Sequence, residues 1–592
     1  MTRHVVIFGD LSQLSMRKTF HAAGRRAGVV VSSSFVFGLA SMPAARAASP
    51  GDRAVPNSVI EQRQAQQQDA NRQRAMERPD ALSPISGAAI ASTQGPLILP
   101  PEIPCFPIQR VEWKGAEAFP WLVAEADILV SQCAGATGLQ KIRDYFAARL
   151  VSEGYVTTRV LIPEQNLSTG LLQLHVVAGR IGEVKADQSV GWWRTALPTG
   201  PGGLLNQRDL DQATENVRRL QGQADAMIDL VPGAHTGDAD LVLKPGSGKR
   251  WHGSISADNG GIDNTGKYQL GGSLTLDSPL FLYDSLTLSG NTNANFGNGA
   301  AGTRSSSASY NVPLGYWSLF VNASQSRYKQ TVAGFVDDIV YGGSNRQMEA
   351  GVGYVAFRNA AARTSLFGKL YRKVANSTIN DRDLSVQHRD LVGFEIGASH
   401  RHYVGASVVD IGTSWRQALP SHSRATGVVL GQPEWDGRSQ ILMANAALTL
   451  PFTAAAQRLR YQGSMRMQYA STRILPSDYF VIGNRYAVRG FDEQLTLSAE
   501  NGVAMRNDLA WKIGDSGQEA FVGFDMGHVS GPSAEFLVGR TLMGAVVGAR
   551  GRWRLGGLAG LTYELTLGTP VKKPANFRTR RPNIAAQVAL EL

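Results

Sequence analysis

The groups in this 592-residue sequence that could do chemistry are ten histidines, two cysteines, 59 basic and 48 acidic side chains. Their spacing excludes most catalytic designs. His388-Arg389-Asp390-Leu391 copies a fragment of a kinase catalytic loop, but the metal-holding asparagine five residues after the aspartate is replaced by Glu395. Gly246-Ser247-Gly248-Lys249 lacks the first glycine of a phosphate loop and is followed by Arg250, where a hydroxyl is needed for magnesium. Neither a Gly-x-Ser-x-Gly elbow nor a His-Glu-x-x-His zinc helix occurs, and the histidines show no metal-ligand spacing. The expectation is a protein that is not an enzyme and uses no cofactor or metal. That leaves Cys105 and Cys133, whose chemistry depends on the compartment.

The N-terminus supplies the compartment. Arg17, Lys18, Arg25 and Arg26 precede an apolar run from Ala27 to Ala40, and Ala45-Arg46-Ala47 follows as a cleavage site. This is the charge, apolar and small-residue order of a secretory signal peptide over residues 1–47, with Met16 the more typical start. Export places the rest of the chain in an oxidising space, where Cys105 and Cys133 can pair. Closing their 28-residue separation is worth roughly 3–4 kcal/mol by the loop-entropy model. Beyond the leader, no run of 18 or more apolar residues appears, which excludes helical membrane spans. The net charge of +11 is spread along the chain, apart from residues 60–78 and a tail at Lys572–Arg581. Scattered charge without a binding motif argues against nucleic acid and for solvated or lumen-facing side chains.

The length predicts three or more units. After the leader, residues 48–78 hold a helix dense in Gln, Arg, Glu and Ala from Asn57 to Arg78, with Ser58-x-x-Glu61 as a capping box and Pro79 as the stop. Polar on nearly every face, it suits either a disordered exported tail or a polar-walled cavity. About 20 residues at about 1.5 Å each would span about 30 Å, the depth of a bilayer core. Residues 79–104, rich in Pro, Ser and Gly, read as a linker.

Two α+β units follow. In residues 105–179, Phe106–Trp113 reads as a strand and Pro120–Ser131 as a short helix. Leu139, Ile142, Phe146 and Leu150 mark a second helix ended by Gly154, and Tyr155–Ile162 and Leu172–Val176 read as strands. Residues 180–246 repeat this grammar. Arg180–Lys185 is a strand and Trp192–Leu197 a short helix, a helix opens at Asn206, and Ala224–Val231 and Ala239–Leu243 are strands. Neither unit looks catalytic; a binding module and a spacer both fit.

From residue 247 to 592 the period becomes two. Trp317, Leu319, Val321 and Ala323 alternate with Ser318, Phe320, Asn322 and Ser324, and the chain ends on Ile584, Ala586, Val588, Leu590 and Leu592. One face is apolar and the other mostly Ser, Thr, Gln and Asn. A soluble sandwich would put charges outside, whereas a membrane barrel puts apolar residues towards lipid and uncharged polar residues towards a wet lumen. The latter pattern is the one present, and lipid requires such a sheet to close. Short turns such as Pro313-Leu314-Gly315 alternate with stretches such as Asn291–Ser307 that read as long outer loops. At about 21 residues per strand and connection, the 342 residues from Trp251 make about 16 antiparallel strands.

Two segments then make the chain resemble a known family, the two-partner secretion transporters that export filamentous haemagglutinins and haemolysins. Val488-Arg489-Gly490-Phe491 resembles the family's signature at the tip of a loop folded back into the barrel, with Phe491 where many members carry Tyr. Gly523-Phe524-Asp525-Met526-Gly527 resembles its strand motif. Tyr155-Val156-Thr157-Thr158-Arg159 with Pro163-Glu164-Gln165, and Asn206-x-Arg208-Asp209-Leu210 with Pro232-Gly233, resemble its two POTRA domains. Cys105 and Cys133 stand where many members carry a disulfide, and Leu592 departs from the usual terminal aromatic. The resemblance implies that Arg489 contacts Asp525 inside the lumen, a contact suited to the rigid guanidinium fork. Gly490 would permit a tight bend, and Gly523 and Gly527 would clear room beside the wall.

It further implies an outer-membrane barrel plugged by the polar helix, with periplasmic domains that receive a large β-helical exoprotein (an adhesin, a haemolysin or a contact-dependent toxin) and pass it outward unfolded. Outer-membrane lipid and the exoprotein would be the partners of a monomeric barrel, with no nucleic acid. The rival within the barrel superfamily is a factor that assembles other outer-membrane proteins. A passive porin would have no use for the tandem units.

Overall fold

A computed structural model describes residues 56–76 and 97–592, apart from 298, 300, 334–336, 427–434, 436 and 557–558. The leader and most of the segment read as linker lie outside the described residues.

The first α+β unit builds its sheet in the order Arg110–Lys114, Leu171–Val177, Arg159–Leu161, with the middle strand parallel to the first and antiparallel to the last. The helices Pro120–Glu125 and Ala136–Ser152 cover it. The helical spacing read from sequence buries Ile142, Phe146 and Leu150 completely against Leu172 and Leu174. Trp113 meets Phe146 edge to face at 5.2 Å. Tyr155–Ile162 yields only the short strand Arg159–Leu161. Tyr155 instead packs its ring on Phe119 at 4.9 Å, so its β-type composition serves the core. Residues 97–104 lack regular structure but are bound to this unit. Leu97 is buried in its core, and Gln132 exchanges hydrogen bonds with the backbone of Leu97 and Leu99.

The second unit repeats the topology with strands Arg180–Ala186, Asp238–Lys244 and Met227–Pro232. Its helix Gln207–Arg218 opens where expected. Asn206 caps it by accepting from the Arg208 N–H at 2.9 Å, and the same side chain donates to the Glu153 carbonyl at 3.0 Å. One asparagine therefore both starts a helix and ties the two units together.

Sixteen long antiparallel strands, from Trp251–Asp258 to Asn583–Glu591, close into a barrel when Gln587–Glu591 pairs with Ser254–Asp258. Closure leaves no open sheet edge to face lipid. Alternate side chains are outward: Trp317, Leu319 and Val321 are 52%, 42% and 51% exposed. Among the described residues no helix is long and apolar enough to cross a membrane. Two-residue turns such as Gly315-Tyr316 and Gly405-Ala406 mark one rim, and longer connections mark the other. The outer connection within Asn291–Ser307 is confined to residues 294–301, because Ser285–Asn293 ends at Asn293 and Gly302–Leu314 begins at Gly302. The composition of the two ends misleads because a strand facing water inside a barrel needs the same Ser and Asn that loops use.

Candidate functional site

Residues 471–500 connect the strands Gln457–Ala470 and Asn501–Ile513, and this connection turns into the lumen. A small hairpin, Phe480–Ile482 paired with Leu497–Ala499, stiffens it. At its tip Val488 and Phe491 are fully buried with Phe480, Ile482, Leu497 and Leu542, and Phe577 meets Phe491 edge to face at 5.6 Å. The loop thus carries its own apolar core, which holds the polar tip against the wall.

Arg489 projects from this core. Its Nε and Nη2 donate to the two carboxylate oxygens of Asp525 at 2.7 and 2.8 Å, the bidentate geometry in which an arginine fork binds most firmly. The backbone N–H of Arg489 donates to Asp525 as well, at 2.9 Å. The outer face of the guanidinium reaches Asp508 through Nη2 at 2.5 Å and Nη1 at 3.3 Å. Asp525 is wholly buried and Arg489 is 6% exposed, so the charges depend on each other and not on solvent. Arg550 extends the network to Asp508 at 3.5 Å and Glu519 at 3.1 Å, Arg506 lies 4.0 Å from Asp525, and Arg460 pairs with Glu519. The Arg550 guanidinium lies over the Phe521 ring at 4.8 Å.

The glycines make the approach possible. Gly490 has φ +95°, and a Cβ there would sit 2.7 Å from the Thr569 carbonyl. It rests on Gly544 and Gly568, two wall positions without side chains; a Cβ on Gly568 would stand 2.8 Å from the Gly490 Cα. A side chain at Gly523 would press on Asp508 and Arg489, and one at Gly527 on Val488 and Ile482. The structure therefore gathers Val488, Arg489, Gly490, Phe491, Gly523, Asp525 and Gly527 in one place. Asp508, Arg506, Arg550, Phe577, Gly544 and Gly568 complete it and were not singled out from sequence. The detectable signal was register. Arg506 and Asp508 fall on lumen positions of the strand alternation, directly opposite Asp525 and Gly523.

The helix Asn57–Met76 enters the same space. Ile60 packs on Ile262 and Tyr328, and Glu61, Gln62, Arg63 and Gln64 are all buried, so this helical turn is enclosed on every side. Glu61 pairs with Arg389 at 3.2 Å and so is engaged away from the expected capping box; the Pro56 carbonyl receives the Val59 and Ile60 N–H groups. Gln62 donates to the carbonyls of Pro476 and Tyr479, Arg63 donates to that of Glu493 at 2.5 Å, and Asn484 donates to Gln66 at 2.9 Å. Four contacts thus join the helix to the inward loop. Arg389 and Asp390 of the kinase-like fragment have structural roles, Asp390 pairing with Arg372 at 2.8 Å.

Cys105 and Cys133 form a disulfide in the first α+β unit, away from the lumen, with Cα atoms 5.5 Å apart. Beside it, Glu102 accepts from the Gly135, Thr137 and Gly138 N–H groups at 2.6, 2.9 and 2.7 Å, capping the helix Ala136–Ser152, whose N-cap Gly135 has no side chain to do so. Partial desolvation would raise the Glu102 pKa, but those three N–H groups together hold it below its ordinary value.

The second unit docks on the short-turn rim. Asn216 donates to the Gly315 carbonyl at 2.8 Å, Tyr316 donates to Asp209 at 2.7 Å, and Glu215 lies between Arg358 and Arg363. Arg219 reaches the barrel mouth, donating to Asn311 at 2.7 Å and the Tyr283 carbonyl at 2.6 Å. Burial pushes its guanidinium down to about 10 against the opposing pull of Asp284 and Asp277.

Comparison with known proteins matches these parts. The family described as haemolysin secretion/activation protein ShlB/FhaC/HecB matches residues 237–551, a ShlB-type POTRA domain matches 106–179, and a further POTRA domain matches 180–232. Outer membrane transporter CdiB-2 of Burkholderia pseudomallei is 32% identical over 581 residues, covering 93% of this chain and 96% of that protein. Hemolysin transporter protein ShlB of Serratia marcescens is 27% identical over 486 residues, 80% of this chain and 81% of that one. The solved structure of CdiB from Escherichia coli superposes with a TM-score of 0.77 at 25% identity, over 92% of this chain and all of that one.

Proposed function

The chain belongs to the haemolysin secretion/activation family of outer-membrane transporters, with periplasmic POTRA domains before its barrel, and from that membership we propose how it works and what it carries. The cargo is a large β-helical exoprotein, an adhesin, haemolysin or contact-dependent toxin, received in the periplasm and passed through the barrel unfolded. The observation that carries this reading is a lumen closed by two segments of the chain itself, the polar helix and the loop bearing Arg489, above docking units fixed to the periplasmic mouth. A solute pore has no use for the tandem docking units. The edge strands Arg159–Leu161 and Met227–Pro232 each pair on one side only, and Leu161 and Met227 are exposed, as strand addition by an extended peptide requires.

The domain assignment that goes with this reading is a removed leader at 1–47, a plug segment at 48–78, a linker at 79–104 whose last residues, 97–104, pack on the first domain, POTRA domains at 105–179 and 180–246, and the barrel from 247. The barrel works as a monomer surrounded by lipid, without a catalytic step of its own. Folding of the exoprotein outside draws the chain out. The test is secretion by cells expressing the exoprotein encoded beside this chain. Deleting the chain should abolish surface delivery while leaving insertion of other barrels intact. Unchanged delivery would refute the transport reading, and a general loss of outer-membrane proteins would favour the assembly reading.

A further inference from the structure

The wall of the lumen is divided in two. On the five strands from Trp251–Asp258 to Trp317–Ala333, the inward positions are mostly Ser, Thr, Asn, Gln and Gly, with the rings of Phe320 and Tyr328 on the last of them the main bulky exceptions. The inward-facing charged side chains there stand at the rims, Asp258 at one end and the His252–Asp277 pair, 3.1 Å apart, at the other. The hydroxyls bond one another across the strands: Ser254 with Ser273 at 2.7 Å, Thr275 with Thr287 at 3.1 Å, Ser289 with Ser307 at 2.7 Å, and Ser309 with Asn322 at 2.6 Å. The remaining strands carry ion pairs at mid-depth, including Lys369 with Glu349 and Glu395, Arg416 with Glu395, and the network around Arg489.

We propose that the exported polypeptide travels along the hydroxyl wall, the strands from Trp251–Asp258 to Trp317–Ala333, and not along the charged one. This rests on the transport reading and specifies its path. An unfolded chain brings backbone amides and side chains of every charge. On the charged wall each passing Lys or Asp would compete for a preformed ion pair and be held there. On the hydroxyl wall each group that leaves a neighbour finds an equivalent neutral partner, so no position binds strongly and none repels. Small side chains also let a backbone come close.

A second observation points to the same wall. The resting helix Asn57–Met76, itself a stretch of polar polypeptide, lies against the strands Ser285–Asn293, Gly302–Leu314 and Trp317–Ala333, and Gln64 donates to the Arg327 carbonyl at 3.2 Å, while its Glu61 reaches across to Arg389 on the other side. The plug occupies the track that cargo takes.

The test places a photo-crosslinking amino acid singly at Ser273 or Ser307 on the hydroxyl wall, and at Ser414 or Ser464 on the charged wall. The neighbouring exoprotein is fused to a disulfide-locked domain that stalls it in transit. Crosslinks at Ser273 and Ser307 should exceed those at Ser414 and Ser464 about tenfold, a preference of roughly 1.4 kcal/mol in occupancy. Even labelling, or stronger labelling at Ser414 and Ser464, overturns the path while leaving the transport reading intact. Failure of the native chain to deliver the unfused exoprotein overturns the transport reading and the path with it. As a second measurement, Ser307→Glu should slow delivery severalfold with the barrel still folded, and Ser464→Glu should not. Equal slowing by both also counts against the path.

Discussion

Replacing Arg489 by alanine tests the site most directly. The substitution removes four side-chain hydrogen bonds and leaves Asp525, wholly buried, with the residue-489 N–H and with Arg506 at 4.0 Å. Removing one member of a buried pair costs about 3–5 kcal/mol because the other charge is left without compensation. Here Arg506 can move towards Asp525, and Asp508 keeps Arg550 at 3.5 Å, so the lower end, about 3 kcal/mol, is expected. That weakens docking of the loop tip by about two powers of ten. The barrel itself should survive, since its sixteen strands pair without Arg489 and the apolar core around Phe491 is untouched.

The assay pairs exoprotein delivery with hydrogen exchange over residues 471–500, using heat-modifiable migration to show that the barrel is folded. Faster exchange in the loop and reduced delivery are expected. Arg489→Lys should rescue little, because an ammonium cannot make the bidentate contact. Combining Arg489→Ala with Asp525→Asn should recover part of the lost protection. If Arg489→Ala changes neither exchange nor delivery, the argument that this ion pair holds a functional loop is wrong.

Four further outcomes follow from the geometry. Deleting residues 57–76 should raise single-channel conductance in planar bilayers, since this helix is buried among lumen groups at Ile60–Gln64; an unchanged conductance would place it outside the pore. Glu215→Ala should loosen the second POTRA domain from the barrel rim by leaving Arg358 and Arg363 without their shared carboxylate, read as faster hydrogen exchange in Gln207–Arg218; equal exchange would make that contact dispensable. The Glu102 cap should be pH-dependent. Its folded pKa lies below the ordinary 4.5, so its stabilisation is complete above that value and is lost as pH falls through the lower folded pKa; proteolysis at residues 97–104 should accelerate there, and Glu102→Gln should remove that step. Cys105→Ser with Cys133→Ser should destabilise the first POTRA domain by about 3–4 kcal/mol, measured by urea denaturation followed at Trp113 and Trp121, and a loss under about 1 kcal/mol would contradict the loop-entropy estimate.

Much of the fold was legible because its elements are periodic. Leu139, Ile142, Phe146 and Leu150 announced a helix, Asn206 announced another, and the alternation around Trp317 announced a lipid-facing strand. The failures share one cause. Both ends of Asn291–Ser307 read as loop, Glu61 as a cap and Tyr155–Ile162 as a long strand because local composition does not reveal which surroundings a residue will meet. Asn291 faces a wet lumen, Glu61 faces Arg389 from more than three hundred positions away, and Tyr155 meets Phe119.

The candidate site shows the same division. By itself the sequence determined that residues from Trp251 onward form a closed barrel, because an apolar face alternating with uncharged polar residues suits lipid outside and water inside, and lipid tolerates no open edge. It also implied, through resemblance, that Arg489 contacts Asp525, a contact the structure contains. Tertiary structure alone decided that Asp508 shares the arginine, that Gly544 and Gly568 form the bare ledge under Gly490, and that charge collects on one side of the lumen while hydroxyls line the other. Those facts depend on strand register around a closed ring and on where a loop folds back. No local pattern encodes them, because the partners lie on different strands and meet only when the ring closes.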